Sequence, residues 1–154
     1  MNPNIQIEQA PIQKRKKSAN LEHILQSKMV LDFSQKRPNE RGKLFATFSE
    51  TKNGTEGAIM TALGLVRGLS DLMYVDNGEL VGIECKAPIS NHLNSHILEQ
   101  CNWLLTVPKR GYFCDSVEMF WNIINGGVGV CPKKVIENIK NIKSKSSSWA
   151  ELKK

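Results

Sequence analysis

The chain has 154 residues, of which 40% are hydrophobic and 23% are charged, and its formal net charge is +6. These values are typical of a single globular domain and exclude a wholly disordered chain, a collagen and a coiled coil. No apolar run approaches the ~18 residues that cross a bilayer, and residues 1–17 contain no hydrophobic signal segment, so we expect a cytoplasmic protein with no membrane partner.

Basic residues are concentrated in the two terminal regions. Residues 1–20 contain four basic residues and one acid, and residues 132–154 contain seven lysines and two glutamates, which leaves the centre slightly acidic. Basic flanks attract a polyanion such as DNA, because bound counterions are released on contact. The same charges would also keep a chain soluble, and composition alone does not separate the two explanations.

The first predicted elements are an arm, a helix and a strand. Residues 1–19 are polar, contain two prolines and a basic run, and predict a disordered basic arm. Asn20 is a suitable N-cap, and apolar residues at helical spacing predict a helix that ends before Pro38. Residues 44–48 predict a buried strand, and residues 58–65 predict a short helix after a polar loop.

A β-hairpin is the clearest local feature of the sequence. Two apolar runs, residues 71–75 and 80–86, flank a turn that contains Asn77 and Gly78. Asn-Gly is the pair that two-residue hairpin turns prefer, because both positions need a left-handed backbone. We therefore predict two antiparallel strands joined at this turn.

The downstream elements complete an α/β pattern. Residues 91–106 predict a helix, residues 112–114 a strand, and Ser116 the cap of a last compact helix. Residues 20–131 are thus predicted to form one α/β domain whose mixed central sheet is flanked by helices. Residues 132–154 are predicted to be a basic C-terminal tail, either a frayed helix or a mobile segment.

Cysteine, glycine and histidine patterns exclude several cofactors. The four cysteines include no Cys-x-x-Cys pair, so we expect four buried free thiols and no structural zinc site. The glycines match no nucleotide-binding loop, so we expect no nucleotide cofactor. His92 and His96 would share a helix face, but they have no evident third zinc ligand, and a solvated or DNA-facing helix start is the preferred interpretation.

Three ionisable residues converge on one part of the hairpin. Side chains alternate along a strand, so Glu84 and Lys86 face the same side. Pairing outward from the turn places Asp71 opposite Glu84. A surface salt bridge is the simpler interpretation, but the return strand is too apolar for an exposed edge, and buried charges require partners.

This cluster suits metal-assisted hydrolysis. Two carboxylates and a backbone carbonyl between them form an oxygen-rich pocket for Mg²⁺, with Mn²⁺ as an alternative. The metal would lower the pKa of a bound water and hold a phosphate oxygen. Lys86, kept charged by the neighbouring carboxylates, would stabilise the negative charge that grows in the transition state.

The residues around the cluster follow a recognisable order. It consists of Glu22-x-x-x-Gln26, Gly68-Leu-Ser-Asp71-Leu, Val-Gly-Ile-Glu84-Cys-Lys86-Ala-Pro and Gln100-x-x-Trp103-Leu. Together these segments resemble the VRR-NUC branch of the PD-(D/E)xK nucleases, over about residues 21–125. The resemblance implies a restriction-endonuclease-like α-β-β-β-α-β core, which agrees with the predicted element order.

The resemblance also implies roles for individual residues. Asp71 and Glu84 would bind the metal together with the backbone carbonyl of Cys85, and Lys86 would act on the attacking water. Glu22 would be a further acid within reach of the metal.

Two further positions bear on the family pattern. Gln100 would support the site from the following helix. Ser70 stands where the family usually has proline, a change that leaves the carboxylate in place. Residues 89–99 lengthen the loop before Gln100, so the substrate groove is expected to differ from that of the family.

Candidate DNA contacts lie outside the cluster. They are Lys14, Arg15, Lys16, Lys17, Arg67, His96, Lys109 and Arg110. Basic side chains of this kind bind phosphate, although ordinary surface positions would explain Arg67 and the Lys109-Arg110 pair equally well.

The residues and the resemblance together predict an Mg²⁺-dependent endonuclease that hydrolyses DNA phosphodiester bonds. Small relatives are similar to enzymes specific for branched or junction DNA, including Holliday junctions, in phage or bacterial DNA repair, recombination or replication. Two cuts across a junction would require two active sites and hence a homodimer. The alternatives are a non-catalytic nucleic-acid-binding module that retains the fold, and an antirestriction or regulatory partner.

Overall fold

The computed structural model describes residues 12–47, 54–64, 66, 68–88, 96–141 and 148–154, and within the helices it describes the backbone alone for residues 12–20, 56 and 57. These residues form four strands: β1 (Leu44–Ala46), β2 (Leu72–Asp76), β3 (Glu79–Cys85) and β4 (Arg110–Cys114). They also form six α-helices: α1 (Ile12–Lys36), α2 (Gly54–Ala62), α3 (Ile97–Thr106), α4 (Val117–Ile124), α5 (Pro132–Asn141) and α6 (Trp149–Leu152). A short 3₁₀ turn (Pro38–Glu40) follows α1.

A mixed open sheet is the centre of the fold. The strand order is β1-β2-β3-β4, with the first two junctions antiparallel and the third parallel. A parallel neighbour needs a crossover connection, and α3 supplies it between β3 and β4. The chain is therefore an α/β protein, as predicted.

The hairpin between β2 and β3 has the predicted register. Asp76 pairs with Glu79, and Leu72 pairs with Ile83. Asn77 (φ 51°) and Gly78 (φ 84°) both adopt the left-handed conformation that a tight hairpin turn requires. The same count brings Asp71, one residue before β2, to the end of β3.

Helices cover both faces of the sheet. On one face, α1 and α4 pack against alternate strand residues in a core centred on Met29, Phe33, Ile83 and Phe120. On the other face, α3, α5 and α6 pack around Phe113 in a second core. Because side chains alternate along each strand, Ile83 and Cys85 enter the first core, whereas Glu84 faces the second layer.

Three elements near the start of the chain differ from the predictions. One is α2, which spans Gly54–Ala62 and not residues 58–65, so the end of the predicted loop is helical. The helix α1 begins at Ile12 and not after Asn20, because its basic run consists of good helix formers with no proline between Ile12 and Lys36. The strand β1 is not buried: Phe45 is 44% exposed, since β1 lies at the edge of the sheet and, among the described strands, pairs with β2 alone. Residue 48, the end of the predicted strand, lies outside the described residues.

The segment predicted as a basic tail contributes to the core. In α5 the side chain of Val135 is buried, and Ile136 and Ile139 pack against the second core. In α6 the side chains of Trp149 and Leu152 are almost completely buried. Lys133, Lys134 and Lys140 occupy exposed positions of the amphipathic helix α5. Composition alone does not distinguish such a helix from a charged tail.

Thiol reactivity should distinguish the four cysteines. Cys85, Cys101 and Cys114 are buried, and burial raises the pKa of the Cys101 and Cys114 thiols to about 12. Cys131 is exposed, contrary to the prediction that all four thiols are buried. We expect a thiol-specific chromogenic reagent to modify Cys131 alone in the native protein and all four cysteines in urea. Rapid native modification of a second cysteine would contradict this packing.

Gly111 is expected to be the most sensitive glycine of the sheet. A Cβ at this position would overlap the carbonyl oxygen of Leu104, so β4 approaches α3 more closely than any other residue permits. Gly111→Ala should lower the free energy of unfolding by about 2 kcal/mol or more, because backbone cannot move aside as a side chain does. Urea denaturation measures the effect, and Gly54→Ala, with nothing within 4 Å of the new Cβ, is the control.

Candidate active site

A buried ion pair lies at the C-terminal end of β3. Glu84 is 2% exposed and Lys86 is 6% exposed, and Lys86 Nζ lies 2.9 Å from Glu84 Oε1. Their face of the sheet is covered by α3, which explains how an acid and a lysine are buried on a strand. Burial without a partner would cost several kcal/mol for each charge, so the pair is mutually required.

Asp71 reaches the same strand end from the neighbouring strand. Its carboxylate Oδ2 accepts a hydrogen bond of 2.8 Å from the backbone N–H of Cys85. This bond fixes the Asp71 carboxylate beside the main chain that joins Glu84 to Lys86. The hairpin therefore brings together the three residues that the sequence singled out.

Two residues of α1 also contact this strand end. Glu22 Oε1 accepts a hydrogen bond of 3.2 Å from the backbone N–H of Ala87. Gln26 Nε2 donates to the backbone carbonyl of Asp71 across 3.4 Å. The spacing of four residues puts both side chains on one face of the helix. One side-chain hydrogen bond therefore joins α1 to the segment before β2, and another joins it to the segment after β3.

Gln100 reaches the site from α3. Its Nε2 donates a hydrogen bond to Glu84 Oε1, the oxygen that also accepts from Lys86. A Cβ at Gly68 would lie 2.9 Å from the backbone of Glu99, and Gly68 has φ +77°. Gly68 thus lets the segment before Asp71 pass close to α3. This role could not be predicted from the sequence, because it depends on the distance between Gly68 and α3.

Electrostatics at the site are dominated by burial and by an excess of acids. Burial raises the pKa of Glu84 to about 8 although Lys86 opposes the shift, and Asp71 adds to it. Burial also raises the pKa of Asp71. Burial alone would lower the pKa of Lys86, but the charges of Glu84 and Glu22 outweigh it and the pKa is raised. One ammonium therefore faces three carboxyl groups and stays charged.

The donor atoms suit a hard divalent cation. Within the described part of the chain, Glu84 Oε2 and Gln100 Oε1 are buried and have no hydrogen-bond partner. Carboxylate and carbonyl oxygens are the ligands that Mg²⁺ and Mn²⁺ prefer, and a cation would also offset the excess negative charge. No group of three or more His, Cys, Asp or Glu side chains that could hold a metal occurs among the described residues. A cation bound here would therefore take water as part of its ligand set.

The candidate DNA-binding residues are spread over the molecule. Lys109 pairs with Glu79 (3.5 Å) and Arg110 with Asp76 (2.6 Å), at the turn end of the hairpin and away from the site. His96 precedes α3, and its Nδ1 lies 3.0 Å from Glu99.

The remaining basic candidates are placed less fully. Lys14, Arg15, Lys16 and Lys17 lie in α1, where the structure describes only their backbone. Arg67 and His92 lie outside the described residues.

Two further residues lie around the site, Phe113 of β4 and Ser70, which directly precedes Asp71. Lys86 Nζ lies 5.9 Å from the centroid of the Phe113 ring, a cation–π distance. Ser70 is fully buried, and its hydroxyl donates to the backbone carbonyl of Leu72. The contact of Phe113 with Lys86 was not predicted, because sequence gives no indication of which charge a ring will face.

No protein-family model, curated protein or solved structure matches the chain. In the described part of the chain, none of the helices combines the length and the apolarity that a membrane crossing requires. The arrangement of side chains at the end of β3 is therefore the basis for assigning a function.

Proposed function

We propose that this protein is a metal-dependent endonuclease that hydrolyses phosphodiester bonds in DNA. The observation that supports this most directly is the buried Lys86–Glu84 pair beside Asp71, with Glu84 Oε2 left without a hydrogen-bond partner among the described residues. A buried ion pair usually stabilises a fold less than apolar side chains of similar volume would, which favours a functional reason for its presence. Buried carboxyl groups with shifted pKa values are typical of functional sites.

Each residue has a role that its position suits. Asp71 and Glu84 would bind Mg²⁺ (or Mn²⁺) with the backbone carbonyl of Cys85. The ion would supply a Lewis acid and a water of lowered pKa. Lys86, held charged by its acidic neighbours, would stabilise the negative charge on the phosphate in the transition state. Gln100 would orient Glu84, and Glu22 would add negative charge from α1.

The fold is compatible with this assignment. The order helix, strand, two strands of a hairpin, crossover helix and parallel strand matches the α-β-β-β-α-β order of restriction-endonuclease-like proteins, with α2 inserted before the hairpin. The VRR-NUC branch of the PD-(D/E)xK nucleases is the family whose residue pattern the site resembles. We assign the chain to that branch as part of the proposal.

DNA is the substrate that the charge distribution favours. The basic run at residues 14–17 lies one to two turns before Glu22 in the same helix, so about 7–12 Å of helix separates it from the site. Branched or junction DNA and a homodimeric enzyme, in phage or bacterial DNA repair, recombination or replication, follow from the family resemblance. Cleavage of both strands at a junction would need one site from each copy.

Wild-type protein and Asp71→Ala should be incubated with labelled duplex, flap, single-stranded and four-way-junction DNA. Each reaction is run with Mg²⁺, with Mn²⁺ and with chelator. We expect the wild type to cut at least one substrate only when metal is present, and Asp71→Ala to cut none. Equal cleavage by the two proteins, or cleavage that resists the chelator, would refute the assignment.

A non-catalytic nucleic-acid-binding module is the second candidate, and the basic run of α1 favours it. Such a module would bind DNA with an affinity that falls as salt rises and would leave a supercoiled plasmid intact with or without metal. It has no need for a buried Lys86–Glu84 pair. Metal-dependent nicking of the plasmid separates the two candidates.

A further inference from the structure

The C-terminal helix α6 is short and firmly packed. A helix of four residues is not stable in isolation, so its position depends on tertiary contacts. Trp149 is 2% exposed and Leu152 is 1% exposed. The helix begins with a reciprocal capping box between Ser148 and Glu151, and Asn138 of α5 donates a hydrogen bond to the carbonyl of Leu152. These contacts hold α6 in one orientation.

A buried aspartate fixes α6 to the end of β4. Asp115 is 6% exposed, and its Oδ2 accepts a hydrogen bond of 3.0 Å from the indole N–H of Trp149 and one of 2.6 Å from Lys153 Nζ. Asp115 directly follows Cys114, whose carbonyl accepts the backbone N–H of Lys86 across 2.9 Å. Asp115, which binds α6, is thus the next residue after Cys114, which binds the backbone N–H of Lys86.

An aromatic contact continues this connection to the Lys86 side chain. The rings of Trp149 and Phe113 have centroids 5.2 Å apart, and Lys86 Nζ lies 5.9 Å from the Phe113 centroid. Phe113 pairs with Glu84 across the parallel strands, so its ring lies on the same face as both members of the ion pair. Trp149 therefore packs against the ring that itself faces the Lys86 ammonium.

We infer that α6 is a positioning element of the active site, in which Trp149, held by Asp115, keeps the Phe113 ring against Lys86. The ring excludes water from one side of the ammonium and leaves Glu84 and the metal position on the other. Loss of α6 would let water reach Lys86 and widen the range of positions of its Nζ. The kinetic consequence rests on the proposed nuclease function, whereas the shielding of Lys86 does not.

The opposite face of the sheet offers a matched control. Trp121 of α4 donates its indole N–H to Asp32, which also pairs with Lys36 (2.8 Å). The group repeats the Trp–Asp–Lys arrangement of α6, but its ring stacks on Phe33 in the first core, on the other side of the sheet from Lys86. If Lys86 is exposed by a general loss of stability, substitutions in either group should expose it. If Trp149 positions the Phe113 ring, only substitutions in the Trp149 group should expose it.

Lysine acetylation followed by mass spectrometry measures the shielding of Lys86 without any assay of activity. In wild-type protein Lys86 should react slowly, and Lys109, which is 65% exposed, should react quickly. We expect Trp149→Ala to raise the rate at Lys86 about tenfold, as local opening exposes the amine, and to leave Lys109 unchanged. Trp149→Phe keeps an aromatic ring against Phe113 but loses the hydrogen bond to Asp115, so Lys86 should label more slowly than in Trp149→Ala and faster than in the wild type. Trp121→Ala should match the wild type at Lys86.

Cleavage kinetics then test the consequence for the active site. We expect Trp149→Ala to lower kcat about tenfold with KM for DNA unchanged, the pattern of a group that acts in the transition state. If Trp149→Ala lacks a native circular-dichroism spectrum, Asp115→Ala and its control Asp32→Ala replace it, because each removes the acceptor of an indole N–H. Faster Lys86 labelling is expected only in Asp115→Ala.

The outcomes separate the two proposals. If the wild type cuts no DNA and Lys86 still labels faster in Trp149→Ala than in the wild type, the positioning role is supported and the nuclease is refuted. Unchanged labelling of Lys86 in the Trp149 or Asp115 variant, or an equal change in the Trp121 or Asp32 control, would refute the positioning role even if the wild type cleaves DNA.

Discussion

Asp71→Asn is expected to lower metal-dependent DNA cleavage by about 10³-fold while the protein stays folded. An asparagine side chain has nearly the same shape, and its carbonyl oxygen can still accept the hydrogen bond of 2.8 Å from the backbone N–H of Cys85. The substitution therefore removes the charge that would bind the cation and leaves the local geometry in place. Single-turnover cleavage at saturating metal measures the loss.

Asp76→Asn is the matched control for this variant. Asp76 lies at the turn end of the same hairpin, where it pairs with Arg110 at a partly exposed position. Loss of a surface pair of this kind costs about 1 kcal/mol or less, so the control should cleave at the wild-type rate. If the two variants lose activity to the same extent, or if Asp71→Asn remains active, the metal role of Asp71 is wrong.

Glu84→Gln is expected to change how stability depends on pH. The pKa of Glu84 is about 8 in the folded chain, chiefly because of burial, against 4.5 for an ordinary glutamate. Between these values the folded state binds a proton that the unfolded state has released. Metal-free wild-type protein should therefore lose stability as pH rises through this window, by about 1.4 kcal/mol per pH unit and at most about 5 kcal/mol in all.

The Glu84→Gln variant should show little of this change in stability with pH, because the glutamine side chain has no proton to lose. The raised pKa of Lys86 does not interfere, since a lysine of raised pKa contributes to stability below its ordinary value of 10.5 and loses that contribution only above it. Urea denaturation at intervals from pH 5 to pH 8.5 measures both slopes. Parallel curves for the two proteins would show that Glu84 ionises normally.

The same variant tests whether a cation binds at Glu84. Mg²⁺ binds the ionised carboxylate and competes with its proton, so it should raise the melting temperature of the wild type most at alkaline pH. Glu84→Gln should show little of this increase at any pH. An equal increase in both proteins would place the metal elsewhere.

The proximity of the three central residues of the candidate site could be predicted from the sequence, because they belong to one hairpin. The pair Asn77-Gly78 fixes the turn, and the two-residue period of a strand then determines which side chains share a face. Asp71, Glu84 and Lys86 lie within sixteen consecutive residues, so no long-range packing was needed to bring them together. The edge position of β1 was not accessible in this way, because strand order depends on pairing between distant segments.

Local turn chemistry and side-chain alternation were sufficient to predict the α/β class, the hairpin register and the convergence of Asp71, Glu84 and Lys86. Long-range packing placed α5 and α6 in the second core, left Cys131 exposed and put Lys109 and Arg110 in ion pairs away from the candidate site. Those outcomes depend on which surfaces meet across the sheet. Amphipathic helices near the C-terminus can pack on the core or remain in solvent, and the choice is made by burial against β4 and α3, which no local pattern specifies.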